Sequence, residues 1–264
     1  MIRGSQRFGR VRSREVSGIG FGVDIGGSGI KGALVDLAAG AMYGDRYRIE
    51  TPQPATPDAV AKVVAEVVDE FDLPADLVIV VTFPAVVLHG VAMSAANVDD
   101  SWIGTNVEEV VGAACGRAVV AFNDADAAGY AETRFGAAKD IPGTVFFCTL
   151  GTGIGTALIV DGILVPNLEL GHLELDGYDA ETRAADSARE RENLTFSEYA
   201  ERLQRYFEHI EMLFWPDLIV VGGGVSKDAD QFLPLLRLRA PIVPAKLRNS
   251  AGIVGAALLG AERA

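Results

Sequence analysis

Two stretches of the chain share one layout, in which an apolar strand runs into a glycine-rich turn and a second strand follows directly. The first stretch is "GFGVDIGGSGIKGALVD" at residues 20–36, and the second is "TVFFCTLGTGIGTALIVDG" at residues 144–162. A third apolar strand, in "DLIVVGGGVS" at residues 217–226, also ends in glycines. Strands of this kind, separated by helical segments, predict an α/β fold with a glycine turn in each half of the chain.

Helical patterns lie between and after these strands. "TPDAVAKVVAEVVDEF" has Thr56 as a candidate N-cap, Pro57 in the first turn and apolar residues at helical spacing. Residues 195–214 begin with a capping box of Thr195 and Glu198 and carry a wide aromatic stripe, which favours core packing over a subunit interface. The small residues of "NSAGIVGAALLGAE" predict a C-terminal helix that packs closely.

The composition is that of a globular protein, since 49% of the 264 residues are hydrophobic and 22% are charged. A net charge of −13 argues against general nucleic-acid binding, which depends on cations that neutralise phosphates. Cys115 and Cys148 form neither a disulfide framework nor a zinc motif, so we expect a reducing compartment, the cytoplasm. We expect no membrane span, and residues 1–17, with five arginines, are expected to be a tail rather than a signal peptide.

The first glycine turn allows two interpretations that need no phosphate chain. Gly27, Gly29 and Gly32 fit the dinucleotide-binding fingerprint, and Glu50 lies about where a ribose-binding acid is expected. That fingerprint requires a helix at the third glycine, whereas "GALVDLAAG" is typical of a returning strand. An ordinary glycine hairpin without a ligand is the second interpretation, and the P-loop pattern is excluded because no Gly-Lys-Ser/Thr follows.

A third interpretation is a hairpin that wraps a phosphate chain. Its glycines allow backbone N–H groups to point inward, Ser28 adds a hydroxyl, and Lys31 supplies positive charge. Asp24 can then hold a hydrated magnesium ion. The two further glycine turns favour this interpretation over a hairpin without a ligand.

Asn123 and Asp124 stand where an apolar strand, "RAVVAF", stops and a helix starts. One of them is expected to cap the helix, which requires no substrate. The functional alternative is that Asp124 accepts the proton of a substrate hydroxyl that attacks a phosphoryl group, while Asn123 fixes an adjacent hydroxyl. Ligands of open α/β sheets gather at the carboxyl ends of strands, which favours this alternative.

"NLELGHLELDG" places Glu169 and His172 beside a glycine, shortly after the second glycine turn. A lone histidine is usually structural, but here the pair offers the acceptors and donors that sugar hydroxyls need. We therefore favour sugar contact slightly. His89 and His209 are interpreted as surface or helix-face residues.

In order along the chain, "DIGGSGIKGALVD", "FND", "LGTGIGTALIVDG", "ELGH" and "IVVGGGVS" resemble the motifs of the ROK family of sugar kinases, repressors and open reading frames. The likeness covers roughly residues 20–260 and is specific as an ordered set. It implies the actin-like ATPase (ribonuclease H-like) fold, α/β in class, with two domains around a central cleft. It also implies phosphoryl transfer to the 6-hydroxyl of a hexose.

The domains expected on this basis are a smaller one at residues 19–122 plus 250–264 and a larger one at residues 123–249, after a disordered basic tail at residues 1–18. By position, the resemblance implies that Asp124 is the catalytic base. It implies sugar contacts for Asn97, Asn123, Asp124, Glu169, His172 and, in a loosely aligned segment, Glu192. It implies phosphate and donor contacts for Asp24, Gly26, Gly27, Ser28, Gly29, Lys31, Thr149, Gly151, Thr152, Gly153, Gly222, Gly223 and Gly224.

The sequence departs from the family pattern in two places. Many members follow the "GH" with a cysteine-rich zinc motif, yet residues 173–195 contain no cysteine, so no structural zinc is expected. Ala85 replaces the usual glycine after a proline in "TFPAVVLHG", so the family pattern does not predict the conformation of this turn. Without a zinc ion, packing or hydrogen bonds must hold His172 in place.

The segment around "ELGHLELDGYDAETRA" and the C-terminal part of the chain resemble the actinobacterial polyphosphate glucokinases and glucomannokinases of the family. This likeness implies glucose as acceptor and mannose as a second candidate acceptor, with polyphosphate or ATP as donor, magnesium as cofactor and a homodimer as the assembly. Residues 227–248 carry the cations Lys227, Arg237, Arg239, Lys246 and Arg248 against the acids Asp228 and Asp230. Such a strip can track a long polyanion or form a solvated face, and the sequence favours neither.

Two other functions are considered beside this one. A sugar-sensing repressor of the same family needs a helix-turn-helix ahead of the kinase-like fold, and about twenty arginine-rich residues are too few to build it. A nicotinamide-dependent oxidoreductase would rest on the literal glycine fingerprint alone.

Overall fold

The computed structural model describes residues 8–10 and 18–263. The tail at residues 1–18 was expected to be disordered, but within it residues 8–10 form a strand that pairs in parallel with Phe71–Asp72. Residues 1–7 and 11–17 of this predicted tail lie outside the described part of the chain. The strands in chain order are β1 (Phe8–Arg10), β2 (Ile19–Gly26), β3 (Gly29–Asp36), β4 (Ala41–Met42), β5 (Tyr47–Ile49), β6 (Phe71–Asp72), β7 (Ile79–Phe83), β8 (Val87–Leu88), β9 (Val91–Ala92), β10 (Val119–Asn123), β11 (Thr144–Leu150), β12 (Ile154–Val160), β13 (Ile163–Val165), β14 (Glu174–Leu175), β15 (Tyr178–Asp179), β16 (Leu218–Gly222) and β17 (Ile242–Pro244).

Eight α-helices lie within the described residues. They are α1 (Pro57–Asp69), α2 (Val107–Cys115), α3 (Asp124–Phe135), α4 (Glu181–Ala184), α5 (Asp186–Arg191), α6 (Phe196–Phe214), α7 (Ala229–Phe232) and α8 (Ala251–Arg263). Short 3-10 helices lie at Asp100–Trp102, Leu170–His172, Gly224–Asp228, Leu233–Leu235 and Arg248–Ser250. None of the helices that the structure describes is long and apolar enough to cross a membrane.

The chain divides into two compact units, Met1–Ala128 with Gly252–Ala264, and Gly129–Ala251. The division falls inside α3, so the residues that begin this helix belong to the first unit. The domain bounds expected from the family resemblance, 19–122 plus 250–264 and 123–249, place them in the larger domain instead.

The main sheet of the first unit has the strand order β10-β7-β2-β3-β4, and β5 also pairs with β3. β2 and β3 form an antiparallel hairpin, whereas β7 runs parallel to β2 and β10 runs parallel to β7. All five residues of β7 are buried, which accounts for the continuous apolar run predicted as a strand covered on both faces. Thr56 is the N-cap residue of α1, as predicted, although its side chain accepts no capping hydrogen bond.

The C-terminal helix packs closely on this sheet, as its small residues predict. A side chain at Gly22 of β2 would overlap the backbone carbonyl of Ile253 in α8, and one at Gly260 would contact Val80 of β7. Glycine at both positions therefore lets the helix approach the strands.

The sheet of the second unit has the order β13-β12-β11-β16-β17. β11 and β12 form the second antiparallel hairpin, and β16 and β17 continue the sheet in parallel with β11. The predicted capping box of Thr195 and Glu198 begins α6. The aromatic stripe of that helix is buried in the core of this unit, which confirms core packing for Tyr199, Leu203, Phe207 and Ile210.

Candidate active site

Three strand ends meet at one edge of the first sheet. β2, β7 and β10 run parallel, with Asp24 in register with Thr82 and Asn123 in register with Phe83. The carboxyl ends of parallel strands are where open α/β sheets bind ligands. The structure therefore brings Asp24, Asn123 and the residue after it, Asp124, to the same edge.

Asp24 is held by two partners. Its Oδ2 accepts a hydrogen bond from Lys31 Nζ at 3.0 Å, and its Oδ1 accepts one from Thr82 Oγ1 at 3.0 Å. The side chains of Asp24 and Lys31 are each 22% exposed, so the ion pair remains accessible to a ligand. Sequence reasoning did not single out Thr82, although it is the one polar residue inside the apolar run "VIVVTFP" and is fully buried.

The first glycine turn is a two-residue hairpin in which Gly26 pairs with Gly29. The Thr51 hydroxyl donates to the carbonyl of Gly26, and Arg48 Nη2 donates to the carbonyl of Ser28 at 2.6 Å. Arg48 is in register with Lys31 on the neighbouring strand. Two basic side chains therefore belong to the hairpin, although the sequence pointed only to Lys31.

Close approach explains why this turn is rich in glycine. A Cβ atom at Gly27 would lie 2.9 Å from Cβ of Asn97, and one at Gly29 would lie 2.5 Å from Nε of Arg48. Neither glycine has a positive φ, so left-handed backbone is not the reason for them. Asn97 itself has φ of 61° and packs against the turn, which places this predicted sugar contact beside the first glycine turn.

Asn123 is the residue that caps α3. Its Oδ1 accepts a hydrogen bond from the backbone N–H of Asp126 at 3.0 Å, and its Nδ2 donates to the carbonyl of Ala85 at 3.0 Å. The side chain is only 7% exposed. The capping role is thus confirmed for Asn123, and Ala85, the unusual residue after Pro84, fixes the amide through its carbonyl.

Asp124 is the first residue of α3 and is partly exposed at the strand end. Its Oδ1 accepts a hydrogen bond from the backbone N–H of Ala125 at 2.8 Å. Because Asn123 supplies the cap, the Asp124 carboxylate is not needed for that purpose. The position suits a group that receives a proton from a ligand at the sheet edge.

The other two glycine turns lie together at one edge of the second sheet. β11 and β16 are parallel, with Thr149 in register with Gly222, so the turn at residues 151–153 and the glycines at 222–224 follow neighbouring strand ends. The first of these turns is closed by a hydrogen bond from Gly151 N–H to the Gly153 carbonyl at 3.0 Å. Ser187 Oγ donates to the Thr152 carbonyl at 2.6 Å and supports the turn from outside.

Gly223 is a position that requires glycine. Its φ is +82°, and a side chain there would overlap the backbone of Leu150. Gly224, the next residue, has no atom within 4 Å of an added Cβ. The fold therefore requires glycine at position 223, whereas the space beside Gly224 is open.

Glu169 and His172 lie within a cluster of carboxylates in the second unit. His172 Nδ1 is 2.9 Å from Asp179 Oδ2, and His172 Nε2 is 4.0 Å from Glu169 Oε2. Glu181 belongs to the same cluster, because one of its carboxylate oxygens lies within 4.8 Å of ligand atoms of His172 and Asp179. Its Oε2 accepts a hydrogen bond from the backbone N–H of Ile154 at 3.0 Å. Since Ile154 directly follows the turn at 151–153, the cluster adjoins that glycine turn.

The charges of this cluster shift two pKa values. The hydrogen bond with Asp179 is the main cause that raises the pKa of His172, against the lowering by partial burial. Burial raises the pKa of Glu169, while His172 lowers it and Glu181 raises it. The imidazole is thus biased towards its protonated form next to carboxylates that accept hydrogen bonds.

Sequence reasoning missed Asp179 and Glu181. Both stand in "DGYDAE", an acidic segment seven to nine residues after His172, which was the available signal. Glu192, the predicted third carboxylate, instead pairs with Arg202 Nη2 at 2.5 Å and with Arg191 Nη2 at 3.0 Å. The hydrogen bonds with Arg202 and Arg191 lower the pKa of Glu192 to about 2.

One metal-binding possibility bears on the expectation of no zinc. Among the described residues, His172, Asp179 and Glu181 offer ligand atoms that lie within 4.8 Å of one another. Glu181 is already engaged by Ile154, and His172 by Asp179. The set has one nitrogen and no sulfur, unlike the cysteine-rich structural zinc sites.

A cavity of about 400 Å³ lies beside this cluster in the second unit. It shares Asp179 with the cluster and is lined by residues of the β14–β15 hairpin, α4 and α6, including Tyr178, Arg183 and Arg205. Glu169 and His172 are not among its lining residues. The cavity therefore adds no group to the site.

The model of the ROK family matches residues 20–190. The chain belongs to the ROK family. It is 55% identical over 240 residues to the polyphosphate glucokinase of Mycobacterium tuberculosis strain H37Rv, a match that covers 90% of each chain. It is 52% identical to the polyphosphate glucokinase of Mycobacterium leprae over 90% of this chain and 74% of the relative.

Solved structures of the ROK family agree with the two-unit architecture. The inorganic polyphosphate/ATP-glucomannokinase from Arthrobacter sp. strain KM has a TM-score of 0.89 and 56% identity, and the match covers 93% of this ROK protein and 99% of that chain. A ROK family glucokinase from Streptomyces griseus, solved with glucose and AMPPNP, has a TM-score of 0.77 and 24% identity over 93% and 100% of the two chains. The predicted fold is confirmed: two α/β units that match ROK sugar kinases of the actin-like ATPase fold.

Proposed function

We propose that this ROK protein transfers a phosphoryl group from inorganic polyphosphate or ATP to the 6-hydroxyl of glucose, and that it also accepts mannose. The observation that carries the proposal is the 55% identity to a polyphosphate glucokinase over 90% of both chains. The glucomannokinase at 56% identity supports the use of both donors and both sugars. Neither a repressor nor an oxidoreductase is favoured by relatives of this similarity.

Asp124 is the catalytic base of this proposal. Its carboxylate accepts the proton of the sugar 6-hydroxyl as that oxygen attacks the terminal phosphorus of the donor, and the bond from this phosphorus to its bridging oxygen breaks. This role is supported by the position of Asp124, which follows the carboxyl end of β10, is partly exposed and does not serve as the helix cap. Positioning and charge stabilisation supply most of the remaining rate enhancement in phosphoryl transfer.

The residues assigned to the sugar are side chains that offer hydrogen bonds to hydroxyl groups. In the first unit we assign Asn97 and the second N–H of the Asn123 amide. In the second unit we assign Glu169 and His172, with Glu181 in place of Glu192. Glu181 is preferred because it adjoins His172 and Glu169, whereas both oxygens of Glu192 are engaged by arginines.

The three glycine turns hold the donor. Backbone N–H groups and small side chains of these turns bind phosphate oxygens, and Lys31 neutralises part of their charge. The residues assigned to this role are Gly26, Gly27, Ser28, Gly29, Lys31, Thr149, Gly151, Thr152, Gly153, Gly222, Gly223 and Gly224.

Asp24 fits a hydrated magnesium ion bound with the donor. Its carboxylate is partly exposed, and each oxygen accepts one protein hydrogen bond, which leaves a lone pair on each for a metal-bound water. The ion would supply positive charge against the phosphates of the donor. We propose no structural zinc, because the one described set of candidate ligands carries no thiolate.

The assembly and location belong to the same proposal. We propose a homodimer, since Met212, Leu213 and Trp215 at the end of α6 expose 59%, 47% and 67% of their surface. The cytoplasm suits a protein whose two cysteines are both unpaired. The net charge of −13 supports the absence of a nucleic-acid partner.

The test is a coupled assay for hexose 6-phosphate in which polyphosphate and ATP are supplied separately to glucose and to mannose. We expect product from glucose with each donor. Magnesium chelation should abolish it with ATP, and NAD should neither be consumed nor raise the melting temperature. Absence of product from every combination, with stabilisation by NAD or binding to operator DNA, would overturn the proposal.

A further inference from the structure

The basic strip at residues 227–248 is divided by the fold. β16 and β17 are parallel neighbours, with Val221 in register with Pro244. Lys227 follows the carboxyl end of β16, and Lys246 and Arg248 follow the carboxyl end of β17. Arg237 and Arg239 come before β17, at the opposite edge of the sheet.

The edge that receives Lys227, Lys246 and Arg248 is the edge of the donor turns. The glycines at 222–224 continue from β16, and the turn at 151–153 continues from β11, which is the other neighbour of β16. Gly223 and Gly224 are exposed there. We call Lys227, Lys246 and Arg248 the carboxyl-edge cations.

All three carboxyl-edge cations are exposed, and no carboxylate among residues 8–10 and 18–263 forms an ion pair with them. At the other edge, the guanidinium of Arg239 is occupied by the Pro216 carbonyl and lies over the Trp215 ring, 5.3 Å from its centroid. The guanidinium of Arg239 is thus less available than the carboxyl-edge cations, whereas Arg237 is exposed and differs from them in position. Those near the donor turns have charge to offer to a ligand.

A buried acid fixes the segment that carries two of these cations. Glu132 is fully buried, and its carboxylate accepts hydrogen bonds from the backbone N–H groups of Ala137 at 2.6 Å, Lys246 at 3.1 Å and Leu247 at 2.7 Å. The Ala245 N–H donates to the Val221 carbonyl at 2.9 Å. Because Glu132 binds backbone rather than the ammonium of Lys246, it positions the segment and leaves that charge unpaired.

We propose that the carboxyl-edge cations form a subsite for the phosphate groups of a linear polyphosphate chain that extend beyond those held in the glycine turns. This inference rests on the proposed function. ATP has three phosphates, whereas each added residue of polyphosphate brings a further negative charge. A protein with a net charge of −13 repels such a chain unless local cations receive it, so the subsite favours long donors over short ones.

The test compares two double variants that remove equal charge. Lys227→Ala/Lys246→Ala removes two carboxyl-edge cations. Lys139→Ala/Arg237→Ala removes two exposed cations that precede β11 and β17 instead. For each protein, kcat/KM is measured with long-chain polyphosphate, tripolyphosphate and ATP at several salt concentrations.

We expect the kcat/KM of the Lys227→Ala/Lys246→Ala protein for long-chain polyphosphate to fall roughly tenfold at low salt, which is the effect of removing two exposed charge contacts. Its kcat/KM for ATP and tripolyphosphate should stay within about twofold of wild type, and its salt dependence with the long chain should be shallower. The Lys139→Ala/Arg237→Ala protein should match wild type with all three donors.

Several results would overturn the inference. An equal loss with all three donors would assign the cations to the general donor site, and an equal loss in both double variants would show an effect of net charge alone. No loss with long polyphosphate, while wild type uses it, would refute the subsite and leave the proposed function intact. A wild-type protein that uses ATP but not polyphosphate would refute the subsite as well, whereas one inactive with every donor would refute the proposed function.

Discussion

His172 and Asp179 form an ion pair whose strength depends on pH. The hydrogen bond with Asp179 raises the pKa of His172 above its unfolded value, which is about 6.5. The pair therefore stabilises the folded protein fully below pH ~6.5, and this contribution is lost as pH rises through the higher folded pKa. Sugar binding through a protonated His172 should likewise weaken as pH rises.

Replacing Asp179 by Asn tests this coupling. The substitution removes the carboxylate, so the pKa of His172 should fall, and glucose affinity should begin to decline at a lower pH than in wild type. NMR titration of the histidine side chains measures the pKa directly. An unchanged pKa for His172 would refute the role given to Asp179.

Two adjacent glycines of the donor turn should differ sharply in tolerance. Gly223→Ala forces a side chain into the backbone of Leu150 at a φ of +82°, and we expect a loss of about 1–3 kcal/mol in stability. Gly224→Ala enters open space and should change stability by less than about 0.5 kcal/mol. Thermal melts of both variants check this, and equal melting temperatures would contradict the account of the turn.

At the scale of elements, Glu132 joins α3 to the segment after β17. A carboxylate offers two acceptor oxygens to the three N–H groups, whereas an amide places an NH2 against at least one of them. We expect Glu132→Gln to lower the free energy of unfolding by about 1–3 kcal/mol, the cost of an unsatisfied buried group.

The matched control is Glu201→Gln, because Glu201 is exposed on α6 and makes no hydrogen bond in the described structure. Urea denaturation should show a lower midpoint for Glu132→Gln and an unchanged one for Glu201→Gln. Polyphosphate use should also fall in Glu132→Gln more than ATP use, since the variant releases the segment that carries Lys246. Equal stability of the two variants would contradict the positioning role.

At the scale of the whole molecule, the sequence predicts the elements well where periodicity is strong. The two hairpins, the buried strand β7 and the helix α6 follow from apolar runs, glycine turns and a capping box, all of which are local signals. Local signals also place Asp124 at a strand end, because the apolar run stops at Phe122. The order of the family motifs along the chain then predicts the fold in which these elements are arranged, which composition alone does not predict.

What the sequence does not predict depends on contacts between distant residues. Thr82 reaches Asp24 across 58 positions, and Glu132 reaches Lys246 across 114. Glu181 is brought beside His172 by the short β14–β15 hairpin and the start of α4, which carry no periodic pattern, and the family resemblance pointed to Glu192 instead. The basic strip likewise reads as one feature in sequence, and only the parallel pairing of β16 and β17 separates its two halves.

Asp124→Asn tests the central claim most directly. Asparagine retains an oxygen that can accept the Ala125 N–H but cannot take the proton of the sugar hydroxyl. We expect kcat for hexose 6-phosphate formation to fall about 10²–10⁴-fold with either donor, while the Kd for glucose, measured by calorimetry, changes by only a few-fold. Turnover close to that of wild type, with glucose still bound, would show that Asp124 is not the base.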